Sequence, residues 1–405
     1  MRPEDAEALR KAAGDAALEA HAPLDADGLA LGYTLRPPDG AALARAVRAM
    51  AALGIGAVVR GGGSKSALGN PPRGAQLLLS TSSLANVIEV DADEGVLRAQ
   101  AGARLTALRD ALRATGWELP FDPPGAGATR GGTLASAAIG PRLTGFGRPR
   151  DLVLGLDAVL GDGVRARCGG RVVKNVTGYD LMKLQIGALG TLGVIEAAWI
   201  RLRARPECER ALAAPLGTRT DACAAAVAAA VEPSLAPRAG WLLVAELAGD
   251  DAAVSQDAAR LGAELGAVEG SPGGIARLRA LQGESFGPIG LRFRLAVLPD
   301  RLSEVSAALA RAGAAQLLYP GSGLVFARFA LAEVDAAWVD RLWSAARRAA
   351  RAGAGHAVLE AAPTWAKHAR DVFGEPGDGL AIARALKSRF DPAGVLNPGR
   401  FAGGL

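Results

Sequence analysis

Apolar positions recur at helical spacing through residues 4–20 and again from Ala41 to Leu53. Between them Leu35-Arg36-Pro37-Pro38 forbids helix, because each proline drives the residue before it out of the helical region. Ile55 to Arg60 is a short β-branched run that stops at Gly61, so the order here is helix, strand, glycine loop. Short strands are predicted at Gln76 to Leu79, Val87 to Val90 and Val96 to Ala99, and a helix from Leu105 to Ala114. Leu152 to Leu160 and Val164 to Arg167 make a hairpin, since Gly161-Asp162-Gly163 between them tolerates positive φ. A long strand from Val194 to Leu202 closes this first unit ahead of Pro206.

Beyond residue 207 the alternation lengthens. Helices are expected at 220–231, 252–265, 301–312 and 334–351, and strands at 241–247, 291–298 and 356–360, with a hairpin through Pro320-Gly321-Ser322-Gly323. This fits a small open sheet with helices on one face, distinct from the first unit. The tail from Ala381 is a basic helix followed by Phe390-Asp391-Pro392 and Asn397-Pro398-Gly399-Arg400, turns that suggest docking. The chain has 405 residues, more than one core supports, so two or three units are expected.

Half the residues are hydrophobic and 21% charged, a composition of packed globular domains. No stretch reaches the ~18 apolar residues of a membrane span; Ala222 to Val231 comes nearest and lies between Asp221 and Glu232. The start, Met1-Arg2-Pro3-Glu4-Asp5, turns acidic where a secretory signal is apolar, so a cytoplasmic location is expected. Cys168, Cys208 and Cys223 offer neither a disulfide framework nor a metal-ligand spacing, and no metal is expected. A net charge of +5 comes from scattered arginines, and with 4% aromatic residues there are few surfaces for base stacking, which argues against nucleic acid.

Glycine changes the picture. There are 53, nearly twice the usual share of ~7%, concentrated in Gly61 to Gly69, Gly125 to Gly140 and Gly187 to Gly193. In Arg60-Gly61-Gly62-Gly63-Ser64-Lys65-Ser66, three glycines after a strand free successive N–H groups to face one concavity, a nest for an anion. No Walker loop and no Gly-x-Gly-x-x-Gly is present, which disfavours a nicotinamide-binding unit. Gly127-Ala128-Thr129-Arg130-Gly131-Gly132-Thr133 leaves room for a pyrophosphate at a helix start. A third set, Lys174 to Leu181 followed by Gly187-Ala188-Leu189-Gly190-Thr191-Leu192-Gly193, joins polar groups to a glycine ladder entering a strand. Each alone reads equally as a tight turn; three in one unit favour a ligand. Only six residues are lysine, and Lys65, Lys174, Lys183 and Lys387 fall inside the densest motifs.

In this order and spacing, together with Leu119-Pro120-Phe121-Asp122-Pro123-Pro124, Gly140-Pro141-Arg142, Arg150-Asp151-Leu152 and Gly169-Gly170-Arg171, the motifs resemble the vanillyl-alcohol-oxidase-type (PCMH-type) FAD-binding family, and within it the FAD-binding E subunits of bacterial glycolate oxidase. Leu386-Lys387, Phe390-Asp391-Pro392 and Leu396-Asn397-Pro398-Gly399-Arg400 resemble the same subunit's ending. The resemblance covers roughly residues 35–206 and 372–401. It implies an α+β fold: a two-part FAD-binding domain over 22–206, a ferredoxin-like cap over 207–360, and a segment, 361–405, returning to the FAD domain.

The cofactor implied is one FAD, held non-covalently because the first loop lacks the histidine that covalent members use. Its diphosphate is placed against Arg60, Gly61, Gly62, Gly63, Ser64, Lys65 and Ser66 and against Pro124, Ala128, Thr129, Gly131, Gly132, Ala135, Ser136 and Gly140. Its adenine end is placed beside Gly190, Thr191, Gly193, Val194 and Ile195. The implied activity is oxidation of a small 2-hydroxy acid, with electrons passed to a partner, the family's complex holding a second flavoprotein subunit and an iron–sulfur subunit. Membrane association is then at most peripheral, through those partners.

The catalytic inventory is thin. His21, His356 and His368 form no close pair, and Lys174, Tyr179 and Arg400 are the other polar groups that could face a substrate. A stand-alone flavin dehydrogenase or oxidase acting on another hydroxy acid or alcohol, and a non-catalytic assembly subunit that keeps the fold, stay open.

Overall fold

A computed structural model describes residues 1–172, 180–217, 241–270, 274–283, 290–330, 335–368 and 370–405. Lys174 and Tyr179, the expected helix 220–231 and Cys223 lie outside the described residues. The first sheet contains β1 (Leu18–Asp25), β2 (Ala30–Leu35), β3 (Gly56–Arg60) and β4 (Ala75–Ser80) in the order β1-β2-β4-β3. β1 and β2 are antiparallel, whereas β4 runs parallel to both β2 and β3.

The expected helix over 4–20 is corrected here. The helix is Pro3–Ala13, stopped by Gly14 at φ 104°, and the chain enters β1 at Leu18. Consequently the first sheet begins before residue 22. β1 is an exposed edge strand with little alternation, so its sequence does not show the two-residue period. The helix Gly40–Leu53 matches its sequence signals: Asp39 caps it, accepting from the Ala42 N–H at 2.7 Å, and Gly54 ends it in the left-handed region.

The second sheet is antiparallel, β5-β6-β10-β8-β9, built from β5 (Val87–Asp91), β6 (Val96–Gln100), β8 (Val153–Leu160), β9 (Arg165–Gly169) and β10 (Gly193–Arg201). The hairpin read at Gly161-Asp162-Gly163 joins β8 to β9, Val159 pairing with Arg165. A two-residue ribbon, β7 (Trp117–Glu118) with β11 (Arg203–Ala204), flanks it. Val159 and Val194 from this sheet pack into the same core as Leu35, Leu77 and Leu79 of the first and Val47 of the helix Gly40–Leu53, so the two sheets share one interior.

The tail completes that core. Residues 395–397 run beside the free edge of β3: the Ala57 N–H donates to the Val395 carbonyl at 2.8 Å, and the Asn397 N–H donates to the Ala57 carbonyl at 2.9 Å. Val395 and Leu396 are buried with the first-sheet core. The edge strand is thereby paired by chain from the far end of the sequence.

Where one open sheet was expected after residue 207, two occur among the described residues. One is β13-β12-β14, from β12 (Cys208–Gly217), β13 (Trp241–Gly249) and β14 (Val268–Glu269); the other is β16-β17-β15-β18, from β15 (Gly290–Ala296), β16 (Ala315–Tyr319), β17 (Leu324–Ala330) and β18 (His356–Ala361). The helix Gly274–Gly283 is inserted against both, Leu278 and Leu281 clustering with Val244 of one sheet and Leu317 of the other. Alternation of strands and helices does not reveal such an insertion. Helices Leu302–Arg311 and Ala336–Ala352 cover one face of the four-stranded sheet over Leu291, Phe293, Leu295, Val325 and Phe329. Strand periodicity puts Arg292 and Arg294 on the other face, where they line a hollow with Lys65 and Ser136.

Candidate cofactor and substrate site

The two glycine-rich bends meet. A Cβ on Gly62 would fall 1.6 Å from the Gly127 carbonyl oxygen, and one on Gly61 would fall 2.4 Å from Thr129 Oγ1. The Thr129 hydroxyl accepts from the N–H groups of both Gly62 and Gly132, each at 3.3 Å, so one side chain ties the first loop to the start of the helix Arg130–Ala135. Gly131 lies flat on the turn after β6: its N–H donates to the Ala101 carbonyl at 2.7 Å, and a Cβ there would strike Ala101. Glycine is required at these places because backbone approaches backbone.

One cavity collects these groups. It is lined by residues 60–66, by Thr129, Gly131, Gly132, Ala135 and Ser136, and by Gly190, Gly193, Val194 and Ile195. Four residues from the sequence reading do not line it. Thr191 is turned into its own loop, its hydroxyl donating to the Ala188 carbonyl at 2.7 Å. Ala128 gives its carbonyl to the Leu105 N–H, Gly140 packs on Asp122, and Pro124 lies against Gly283 of the cap. They sit in the right motifs but back the wall rather than face the cavity.

Arg400 is one of the groups expected to face a substrate. It lines the cavity yet is 7% exposed, donating from Nη2 to the Ser66 and Leu68 carbonyls at 2.7 and 2.6 Å and from Nη1 to Asp27 Oδ2 at 3.0 Å. Lys367, 1% exposed, donates to the same Asp27 oxygen at 2.6 Å and to the Ala67 carbonyl at 2.7 Å. Three consecutive carbonyls after the glycine loop are thus held by cations from the C-terminal segment, neutralised by Asp27. Burial pulls both Lys367 and Arg400 below their usual ranges, and Asp27 opposes that.

Asn397 makes a further tie. Its Oδ1 accepts from the Val59 N–H at 2.8 Å and its Nδ2 donates to the Leu189 carbonyl at 2.6 Å, fixing the strand end and the 187–195 loop on opposite sides of the cavity. Neither Asp27 nor Asn397 was marked from sequence, since each acts across more than 200 residues.

Lys65, Leu68 and Ser136 also line a second, small hollow of about 10 Å³, whose other walls include Gln282, Arg292, Arg294 and Glu360. Arg294 Nε stands 2.7 Å from Glu360 Oε1, and Arg292 Nε 3.5 Å from Oε2. Arg292 also donates from Nη1 to the Gly283 carbonyl at 3.2 Å, while its Nε is buried without a hydrogen bond. Gln282 is fixed by Tyr319 Oη at 2.6 Å and by the Ile139 carbonyl at 3.0 Å. Burial alone would raise Glu360, but Arg294, Lys65 and Arg292 outweigh it and hold the carboxyl below its usual range. The pattern Leu291-Arg292-Phe293-Arg294-Leu295, two cations alternating with core residues, was a legible signal for this face that sequence reasoning passed over.

None of the three histidines lines either cavity. His21 is satisfied on the edge strand by the Ala22 carbonyl and Thr34 Oγ1. A larger cleft, about 460 Å³ against about 190 Å³ for the glycine-loop cavity, lies around Arg109, Arg142 and Arg279. Its charges balance: Arg109, Arg142, Arg205 and Arg279 face Glu118, Asp122, Glu207 and Glu209, leaving no surplus for an anion. The glycine-loop cavity, by contrast, is walled by backbone whose N–H groups at Gly61 and Gly63 make no hydrogen bond among the described residues, which fits the diphosphate of a dinucleotide.

Comparison with known proteins agrees with that chemistry. Residues 32–169 match the family described as FAD binding domain, and residues 374–401 match FAD linked oxidases, C-terminal domain. The chain is 38% identical over 157 residues to glycolate oxidase subunit GlcE of Escherichia coli, covering 38% of this chain and 44% of that one. It is 40% identical over 164 residues to D-lactate dehydrogenase of Archaeoglobus fulgidus, covering 40% of this chain and 37% of that one. The matched regions therefore span less than half the length of these relatives. Across 99% of the chain and 86% of the other, the fold is that of an alkyldihydroxyacetonephosphate synthase, with TM-score 0.71 at 14% identity. No helix among the described residues is long and apolar enough to cross a membrane. Residues 32–169 are thus similar to FAD binding domains and residues 374–401 to the C-terminal domain of FAD linked oxidases, and the cofactor these matches support is FAD.

Proposed function

We propose that the chain is a flavin-dependent oxidoreductase that oxidises a small 2-hydroxy acid and works as the FAD-binding subunit of a glycolate-oxidase-like complex. The observation that carries this is the hollow at Lys65: a cationic surface on the cap faces the end of the cofactor cavity. Arg292 and Arg294 meet one carboxylate, Glu360, so the hollow keeps a net positive charge even without Lys65, which suits a carboxylate group at its mouth. Arg292 and Arg294, which line the hollow, are the groups to face that carboxylate. A scaffold without catalysis gives no reason to keep such a cluster buried.

FAD, when bound, supplies the hydride acceptor. The chain's own residues do the rest. The amides of Gly61 and Gly63, in the loop that Thr129 ties to the start of the helix Arg130–Ala135, hold the diphosphate, and the Asp27–Lys367–Arg400 group fixes the carbonyls of residues 66–68. Gly190, Gly193, Val194 and Ile195 wall the remainder of the cavity and take the adenine end. With no histidine between Arg60 and Ser66, the flavin is held without a covalent bond. Two relatives are named as subunits, GlcE of Escherichia coli and GlcD of Bacillus subtilis, which supports passing the electrons on to partner chains.

The test is the visible spectrum of the purified chain followed by anaerobic titration with glycolate, D-lactate and D-2-hydroxyglutarate. A flavin spectrum bleached by one of these acids is the expected result, and bleaching in a single turnover needs no partner. Absence of flavin after reconstitution, or flavin that none of the acids reduces, would overturn the proposal.

A further inference from the structure

Oxidising an alcohol carbon needs a group that takes the hydroxyl proton. Within the hydroxy-acid reading above, on which this argument rests, the histidines and Glu360, the obvious candidates among the described residues, fail. The histidines lie off the cavity, and Glu360 is clasped by Arg294 and Arg292. We infer that Nζ of Lys65 is the proton acceptor, from its place between the two cavities and its lack of a partner. Lys65 lines both the glycine-loop cavity and the cap hollow. Among the described residues its Nζ makes no hydrogen bond and no ion pair.

The other described lysines of the molecule's interior behave differently. Lys367 is fixed by Asp27 and the Ala67 carbonyl, and Lys387 by Asp391 and the carbonyls of Thr191 and Leu396. A half-buried amine left without an acceptor is either a fault or a reagent, and this one opens on the substrate hollow. The charged groups facing it come from β15 and β18: Glu360 favours its ammonium form, and Arg292 and Arg294 oppose it. Burial dominates and brings Lys65 down to about 8, so a usable share of free amine exists near neutrality.

The step balances. The substrate O–H bond breaks and its proton moves to the Nζ lone pair, giving the ammonium. The C–H bond breaks with its electron pair leaving to FAD, the oxidant, and the alcohol carbon becomes the carbonyl of a 2-oxo acid. The ammonium then returns its proton to solvent through the hollow.

The experiment uses the FAD-loaded full chain. The second-order rate constant for anaerobic flavin reduction by the best of the three acids is measured from pH 6 to 10 in the wild type, Lys65→Arg and Lys65→Gln. Binding of oxalate, which is not oxidised, is measured in parallel by calorimetry. The wild-type rate should rise through pH about 8 to a plateau. Lys65→Arg keeps the charge and cannot accept a proton, so its rate should fall by about 100-fold or more, without the rise, while oxalate binds within about tenfold of wild type. Reduction by Lys65→Arg within about threefold of wild type would overturn the inference, as would a loss of oxalate binding that matches the loss of rate. If both variants lose flavin, the wild-type profile decides, and one that is flat between pH 7 and 9 overturns it. Wild-type flavin that no hydroxy acid reduces refutes the functional reading and this step with it, whereas reducible wild type with a fully active Lys65→Arg refutes the step alone.

Discussion

Gly62 approaches Gly127 so closely that a methyl group on residue 62 would lie 1.6 Å from the Gly127 carbonyl oxygen. That contact joins the two bends which together form the cofactor wall. Gly62→Ala must push them apart, at a cost of about 1–3 kcal/mol, and the same displacement moves the amides away from the diphosphate. Flavin retained through gel filtration should drop by tenfold or more in Gly62→Ala. Gly377→Ala serves as a control, because nothing lies within 4 Å of its Cβ position. Equal flavin content in the two variants would mean that the bends do not hold the cofactor.

Asp27 is the one carboxylate between Lys367 and Arg400, and it accepts from both through Oδ2. Its φ of 58° suits asparagine as well as aspartate, so Asp27→Asn removes charge without new backbone strain. Two buried cations are then left facing each other. Breaking a buried pair from one side costs about 3–5 kcal/mol. Urea unfolding should show a loss in that range and reduced flavin affinity, since the carbonyls of residues 66–68 lose their fixed orientation. A loss below about 1 kcal/mol would show that the network carries little of the fold.

Lys65 makes a prediction for the flavin-free protein as well. Its folded value of about 8 lies below the 10.5 of an unperturbed lysine, so between these pH values the unfolded chain binds more protons than the folded one. Stability therefore rises with pH across that window, and at pH 7 the buried ammonium is a full penalty. The shift corresponds to about 3 kcal/mol, lowered to about 1–2 kcal/mol by the partial exposure of the side chain. Lys65→Met should be more stable than wild type by that amount at pH 7, and the advantage should close as pH approaches 10.5. A melting temperature for Lys65→Met at or below wild type at pH 7 would contradict the burial argument.

The parts of the site legible in the sequence are those made by local backbone. Gly61, Gly62, Gly131 and Gly132 are glycines because another chain segment stands where a Cβ would be, and that requirement marks the sequence wherever it occurs. What was not legible is long-range or over-inclusive. Arg400 meets Asp27 across 373 residues, and Asn397 meets Val59 across 338, so neither has a neighbour in sequence that announces its partner. Pro124, Ala128, Gly140 and Thr191 stand in the motifs yet face away, because a motif fixes a path for the backbone and not which side of it the ligand meets. The early strand β1 was hidden in an alanine-rich stretch whose exposed edge gave it no apolar period. The inserted helix Gly274–Gly283 split a sheet that alternation alone would have left whole.

Asn397 uses both ends of its amide, accepting from the Val59 N–H and donating to the Leu189 carbonyl. Asn397→Asp keeps the shape and the acceptor but turns the donor into a second oxygen facing that carbonyl. The residue is 3% exposed, so the new carboxylate is desolvated and opposed by a carbonyl dipole, which raises its folded pKa above the unfolded value. A raised acid binds more protons when folded, so the variant loses stability as pH rises through the carboxylate range and regains it below. At pH 7 the loss should be about 1–3 kcal/mol, and near pH 4 it should largely vanish because the protonated carboxyl donates to the Leu189 carbonyl again. Asn397→Ala separates the effects. It loses both hydrogen bonds and takes on strain at φ 45°, and it should show no such recovery in acid. Parallel pH curves for the two variants would show that the amide's donor does not hold the 187–195 loop.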